Sequence, residues 1–228
     1  LYGRADKFLF WADLVAFLLG GEPVANYTHA NRSLLFDLRA EDWSDRLLAL
    51  GGVGRDKLAR AVPSGTVAGE VSRAMAAELG LPAGARIVIG GHDQCCNSLG
   101  AGAAAAGRTV CGIGTYECYT PAFERIPEPE AMIRLGLNVE HHVLSGRYVS
   151  FLYNPSGALV RWFRDTFAAA DARLLRPGES LYDRLSAEMP AEPTELITLP
   201  SFDVTGPPDP LANATGLIAG LRTGTTRG

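Results

Sequence analysis

Gly90-Gly91-His92-Asp93-Gln94 places one carboxylate just after a glycine pair. Gly112-Ile113-Gly114-Thr115 places a hydroxyl at the end of a glycine turn. A carboxylate, ordinarily charged at neutral pH, can hydrogen-bond a substrate hydroxyl and take its proton. The glycine turn can offer backbone N–H groups and a hydroxyl to phosphate oxygens. Together they suggest phosphoryl transfer to a small hydroxylated substrate. Each also has a plainer reading. Asp93 precedes a helix-like segment and suits an N-cap. A short Gly-x-Gly is most often simply a turn. Gln94 can donate and accept hydrogen bonds, which suits a polyol, or it can be a solvated first-turn residue.

The elements that must hold these residues follow from pattern. Arg86 to Ile89 is a β-branched run that reads as a buried strand ending at the glycines. Residues 94–106 are dominated by Ala, Gly, Cys and Ser, which suits a tightly packed helix. Arg108 to Thr120 reads as two strands around the Gly-Ile-Gly-Thr turn. Tyr148 to Tyr153 reads as one strand, broken by Asn154-Pro155-Ser156-Gly157. A helix over Ala158 to Ala170 follows, with Leu159, Trp162, Phe163 and Phe167 on one face. Gly157 at its start is a second candidate anion contact, because helix N-termini favour negative charge. Arg161, one turn on, can serve the same nucleotide or lie on the surface.

Upstream, the periodicity predicts helices over Lys7 to Leu19 and Trp43 to Leu50. A third helix is capped by Ser72 and stopped at Gly80, and Leu81-Pro82-Ala83-Gly84 turns the chain. Leu196 to Leu199 and Leu217 to Leu221 read as strands on either side of the Pro-rich loop Gly206 to Pro210. The alternation indicates a mixed α/β chain.

Composition narrows the class. The 228 residues are 47% hydrophobic and 20% charged, with a net charge of -4, so nothing favours nucleic acid or an anionic membrane as a partner. No apolar stretch approaches the ~20 residues of a membrane helix. Cys95, Cys96, Cys111 and Cys118 form no Cys-x-x-Cys pair, which argues against a zinc ribbon or disulfide framework and fits a reducing cytoplasm. His92, His141 and His142, with Asp93 and Cys95, invite a metal reading. Adjacent strand residues point to opposite faces, so no metal site is expected. The abrupt ends, without an initiator Met, read as a piece of a longer protein.

The ordered set of segments resembles the FGGY family of carbohydrate kinases. Lys7-Phe8-Leu9-Phe10-Trp11 is similar to the family's Lys-x-x-Trp helix, and Leu19-Gly20-Gly21-Glu22 to its Leu-Thr-Gly-Glu turn. Gly80-Leu81-Pro82-Ala83-Gly84, Gly91-His92-Asp93-Gln94, Gly100-Ala101-Gly102 and Gly114-Thr115 keep family order and spacing. Leu199-Pro200 and Gly216-Leu217-Ile218-Ala219-Gly220-Leu221 resemble segments of the second domain.

The resemblance implies an actin/hexokinase-like, ribonuclease-H-like kinase fold, with parts of two domains flanking a cleft. Residues 1–106 would be the C-terminal part of the sugar-binding domain, and 107–228 the N-terminal part of the nucleotide-binding domain. It implies ATP and Mg²⁺, with most Mg²⁺ contacts outside this chain, and a sugar or polyol substrate. It leaves a homodimer open.

By the resemblance, Asp93 matches the catalytic base and Gln94 a sugar contact, and Cys118 falls at a substrate wall. Gly114 and Thr115 match the phosphate loop, and Gly157 and Arg161 the nucleotide-side helix. His92, where many members have Gly, and Tyr116-Glu117 depart from the pattern. The family's Asp-x-Gly-Thr loop is not in this sequence, so the chain alone is expected to be inactive. The alternative is a non-catalytic sugar- or nucleotide-binding scaffold of the same fold.

Overall fold

A computed structural model describes residues 2–82, 84–207 and 210–227. Ala83 of the expected turn and Pro208-Asp209 of the expected Pro-rich loop lie outside the described residues. The chain divides into two compact units. The first comprises Leu1–Val110, Thr120–Ile133 and Asn138–Phe151; the second comprises Cys111–Tyr119, Arg134–Leu137 and Leu152–Gly228.

In the first unit, α1 (Trp11–Leu18) leads into β1 (Val24–Asn26) and α2 (Tyr27–Arg32). A short hairpin, β2 (Phe36–Asp37) and β3 (Asp42–Trp43), precedes α3 (Asp45–Gly51). Then come β4 (Arg60–Val62), β5 (Val67–Glu70), α4 (Arg73–Leu79), β6 (Arg86–Val88) and α5 (Asp93–Gly100). β1 runs parallel to β4, and β5 antiparallel to β6.

Two apolar clusters hold these pieces. Val24, Val62, Ala68, Val71, Ala76, Ile87 and Ile89 form one, and Ala25, Ala30, Phe36, Trp43, Leu48 and Ala59 the other. β1 feeds both, since Val24 and Ala25 are buried on opposite faces.

Local signals set several boundaries. Ser72 Oγ accepts from the Met75 N–H at 3.3 Å, and Gly80 takes the left-handed conformation at φ 67°, so α4 starts and stops where its cap and glycine dictate. The first helix is shorter than its periodicity suggests. The Phe8 N–H donates to Lys57 O at 2.8 Å and Phe8 bridges Leu58. That pairing holds residues 7–10 extended and delays the helix to Trp11. Trp43 likewise leaves the second expected helix. It pairs with Phe36 in the hairpin and donates its indole N–H to Ala59 O at 2.8 Å. Nor is β6 buried on both faces: Ile87 is buried and Val88 is 56% exposed.

β7 (Thr109–Ile113) and β8 (Tyr116–Phe123) form the expected hairpin around Gly114-Thr115. In the first unit, after α6 (Pro129–Arg134) and β9 (Glu140–His141), β10 (Tyr148–Val149) pairs with β9 and with the Ala122-Phe123 end of β8. In the second unit, β11 (Leu152–Pro155) pairs with the Tyr116–Tyr119 end. The single strand expected over Tyr148 to Tyr153 is thus two. The Phe151 N–H turns aside to Asn138 Oδ1 at 2.9 Å, and this interrupts the ladder. The second unit continues with α7 (Gly157–Phe167), α8 (Ala169–Ala172) and α9 (Leu181–Glu188). The antiparallel pair β12 (Ile197–Leu199) and β13 (Leu217–Ala219) follows. Among the described residues no helix is long and apolar enough to cross a membrane.

Asp13 of α1 is 2% exposed. Its Oδ1 accepts from the Asn26 N–H at 3.3 Å, and among the described residues its Oδ2 has no partner. Burial pushes its pKa up to about 6 from 3.8, against the lowering effect of that hydrogen bond. The folded state therefore holds this proton more tightly than the unfolded chain. Its stabilising contribution is complete below about pH 4 and is lost as pH rises past about 6. At about 1.4 kcal/mol per pKa unit, the wild type should lose about 3 kcal/mol across that window relative to Asp13→Asn. Denaturant unfolding of both proteins at pH 4 and pH 7 measures this, and equal pH dependence in the two would rule out the assignment.

Candidate active site

Asp93 is the first residue of α5, and its side chain is 83% exposed. The N-cap is His92, which makes no side-chain cap bond. The plain N-cap reading of Asp93 is thus shifted by one position. Its Oδ1 instead accepts from the Gln94 N–H at 2.7 Å, and His92 Nε2 lies 3.2 Å from the same oxygen. A carboxylate in the first helical turn is favoured by the helix dipole. It is also open to a ligand. Gln94 is half-buried, and among the described residues its buried Oε1 has no hydrogen-bond partner.

The backbone entering α5 is tightly held. A Cβ on Gly91 would come within 2.6 Å of Val143 Cγ1, 3.0 Å of Thr28 Oγ1 and 3.2 Å of Ser64 Oγ. Only glycine lets the strand end approach so closely.

Behind Asp93, the structure assembles a group that sequence spacing did not reveal. Metal-ligating atoms of His92, Cys95 and Glu140 lie within 4.8 Å of one another. Glu140 Oε1 accepts from Arg32 Nη1 at 2.7 Å and from Asn138 Nδ2 at 2.6 Å. Burial raises the Glu140 pKa against the opposing Arg32 charge, and burial also lowers that of His92. Cys95 is fully buried and its thiol points to His141 O at 3.7 Å. The Arg32 guanidinium already supplies positive charge at this carboxylate, which weighs against a second cation. Glu140 comes from β9, 48 residues after His92, so no local spacing could have announced it. Of the adjacent histidines, His141 Nε2 faces Glu41 at 3.3 Å, while His142 Nδ1 accepts from the Leu144 N–H at 2.9 Å.

In the second unit, Gly114, Thr115, Gly157 and Arg161 come together. The Gly157 N–H donates to Gly114 O at 2.9 Å, and the Ser156 and Ala158 N–H groups donate to Thr115 O at 3.2 and 3.1 Å. Arg161 Nη2 donates to Thr115 Oγ1 at 3.4 Å. The helix start therefore fastens the turn from behind. Gly157 acts by holding Gly114, since its own N–H is already engaged. A Cβ there would collide with Gly114 O and lie 3.2 Å from Gly114 C. Cys118 sits half-buried on β8, opposite Tyr153 of β11. Glu117 is on the other face of the strand, where it accepts from the Cys111 thiol at 3.2 Å.

Residues 1–100 match the N-terminal domain of the FGGY family of carbohydrate kinases. The autoinducer-2 kinase of Klebsiella pneumoniae is 30% identical over 199 residues, covering 84% of this chain and 36% of that protein. Xylulose kinase from Rhodospirillum rubrum superposes with a TM-score of 0.74 at 27% identity, over 94% of this chain and 42% of that one. For a xyloylose kinase from Brucella ovis, the TM-score is 0.82 at 21% identity, covering 99% of this chain and 44% of that one, a likeness of fold. The chain spans a little over a third of the length of the curated relatives it matches. Its mixed α/β architecture is part of the actin/hexokinase-like fold of these kinases. The family match over the first hundred residues, the autoinducer-2 kinase relative and the kinase structures lead to one conclusion: the chain belongs to the FGGY family of carbohydrate kinases.

Proposed function

We propose that the protein carrying this chain is an ATP-dependent kinase that phosphorylates a hydroxyl of a sugar or polyol. The observation that carries the reading is the solvent-facing Asp93 carboxylate at the start of α5, next to Gln94 and inside the segment matched by the family model. Asp93 accepts the proton of the attacking hydroxyl, and Gln94 and Cys118 contact the sugar. Gly114 and Thr115 hold ATP phosphates, with Gly157 fastening that turn and Arg161 adding positive charge. The glycine-only approach at Gly157 and the Arg161 contact to Thr115 fit a phosphate group. Bound Mg²⁺ supplies charge neutralisation between the phosphates, mostly through residues beyond this chain.

Residues 1–106 belong in this reading to the sugar-binding domain and 107–228 to the nucleotide-binding domain. The net charge of -4 suits a small-molecule partner rather than nucleic acid. The four cysteines, all thiols, suit the cytoplasm. A homodimer is the assembly to look for in solution.

Coupled ADP release by the full-length protein, over pentoses, hexonates, polyols and the substrates named in its relatives, tests the reading. ADP release should depend on one of these acceptors, and the isolated 228-residue chain should show none. Acceptor binding without ADP release would instead favour the non-catalytic scaffold.

A further inference from the structure

The mechanism needs Asp93 in a fixed place, yet its side chain is largely solvated, and among the described residues its hydrogen-bond and ion-pair partners are its immediate neighbours His92 and Gln94. What fixes it must act through the backbone. Thr28, on α2, is fully buried and far away in sequence. Its Oγ1 accepts from the His92 N–H at 2.7 Å, the amide directly before Asp93. The same hydroxyl donates to Asn26 Oδ1 at 2.5 Å, which commits its proton and leaves its lone pairs facing His92.

Asn26 is itself held on every side. Its Oδ1 also accepts from the Thr28 N–H at 3.0 Å, as the N-cap of α2. Its Nδ2 donates to Ser64 Oγ at 3.1 Å and its N–H donates to Asp13 Oδ1 at 3.3 Å. Thr28 Oγ1 and Ser64 Oγ are also two of the atoms that a Cβ on Gly91 would strike. Buried hydrogen bonds of this kind at Asn26 and Thr28 rigidify what they touch.

We infer that Thr28 is a positioning residue for Asp93: its hydroxyl anchors the His92 amide and so fixes the entry of α5 and the reach of the carboxylate. This rests on the reading of Asp93 as the catalytic base. A catalytic group displaced by about 1 Å can lose about 10²-fold in rate, and Thr28→Val keeps the shape while removing the anchor.

The test uses the full-length protein and compares wild type, Thr28→Val, Thr28→Ser and Asp93→Asn. kcat is normalised to the fraction of chains that bind ATP. Thr28→Val should lower kcat about 10²-fold with KM for ATP unchanged, and Thr28→Ser should restore kcat. A Thr28→Val protein with wild-type kcat overturns the proposal, as does a serine variant as impaired as the valine one. Hydrogen exchange of the His92 amide in the wild type needs no variant to fold. Protection supports the anchor, and exchange at the rate of an open amide overturns it. If Asp93→Asn keeps wild-type kcat, the base reading itself falls. If Asp93→Asn is inactive while Thr28→Val is not impaired, only the positioning role falls.

Discussion

Asp93→Asn in the full-length protein should lower kcat by about 10² to 10⁴-fold, the usual contribution of a positioned general base. The substitution is nearly isosteric. The amide oxygen can still accept from the Gln94 N–H that Asp93 Oδ1 holds at 2.7 Å. What is lost is a charge in the first turn of α5, which contributes about 0.3–1 kcal/mol through the helix dipole. A loss of that size cannot unfold a domain of ordinary stability, so a large fall in kcat reports chemistry and not folding. The His92 ring lies 3.2 Å from the carboxylate. Its pKa is lowered chiefly by burial, with the Arg32 charge adding to the effect. Acceptor affinity should change little, because Gln94 and the backbone around it stay in place. Kinetics of both proteins at saturating ATP check this, and a kcat within a few-fold of wild type would remove Asp93 from the mechanism.

Gly157→Ala should cost about 10²-fold in kcat/KM for ATP, on the same positional argument. The new methyl would collide with the Gly114 carbonyl and crowd Gly114 C at 3.2 Å. These are backbone atoms, so no side-chain rotation relieves the clash and the turn itself must shift. The 2.9 Å bond from the Gly157 N–H to Gly114 O would be the first to break. Binding of the sugar should be unaffected. Gly224→Ala is the control, since a Cβ there meets nothing within 4 Å and kinetics should stay at the wild-type level. Unchanged ATP kinetics in Gly157→Ala would mean that the helix start does not set the geometry of the phosphate turn.

Much of this arrangement was legible in the sequence wherever one residue's own chemistry decides the outcome. Ser72 and Gly80 bound a helix by a side-chain cap and a left-handed glycine. Gly114, with Thr115, forms the short turn between β7 and β8 that the glycine marks in the sequence. The turn of Gly114 and Thr115 is joined to the start of α7 by three backbone bonds and by one contact from the Arg161 guanidinium to Thr115.

Long-range contacts were not legible. Phe8 is drawn out of a helix by Lys57, and Trp43 by Phe36 and Ala59. Asn138 splits a strand by taking the Phe151 amide. Thr28 and Glu140 carry no local sign of their roles near Asp93, because each reaches the site only through folding. Thr28 did lie within an Asn-x-Thr triplet, Asn26-Tyr27-Thr28. The triplet's meaning here is a buried helix cap, with Asn26 0% exposed.

The most direct measurement is transfer of a labelled γ-phosphoryl group from ATP to the sugar. It is made with full-length wild type and Asp93→Asn, and acceptor binding is measured on the same preparations. Labelled sugar phosphate is expected from the wild type, almost none from Asp93→Asn, and equal acceptor binding by both. Equal labelling by both proteins, or acceptor binding with no labelled product from the wild type, would contradict this.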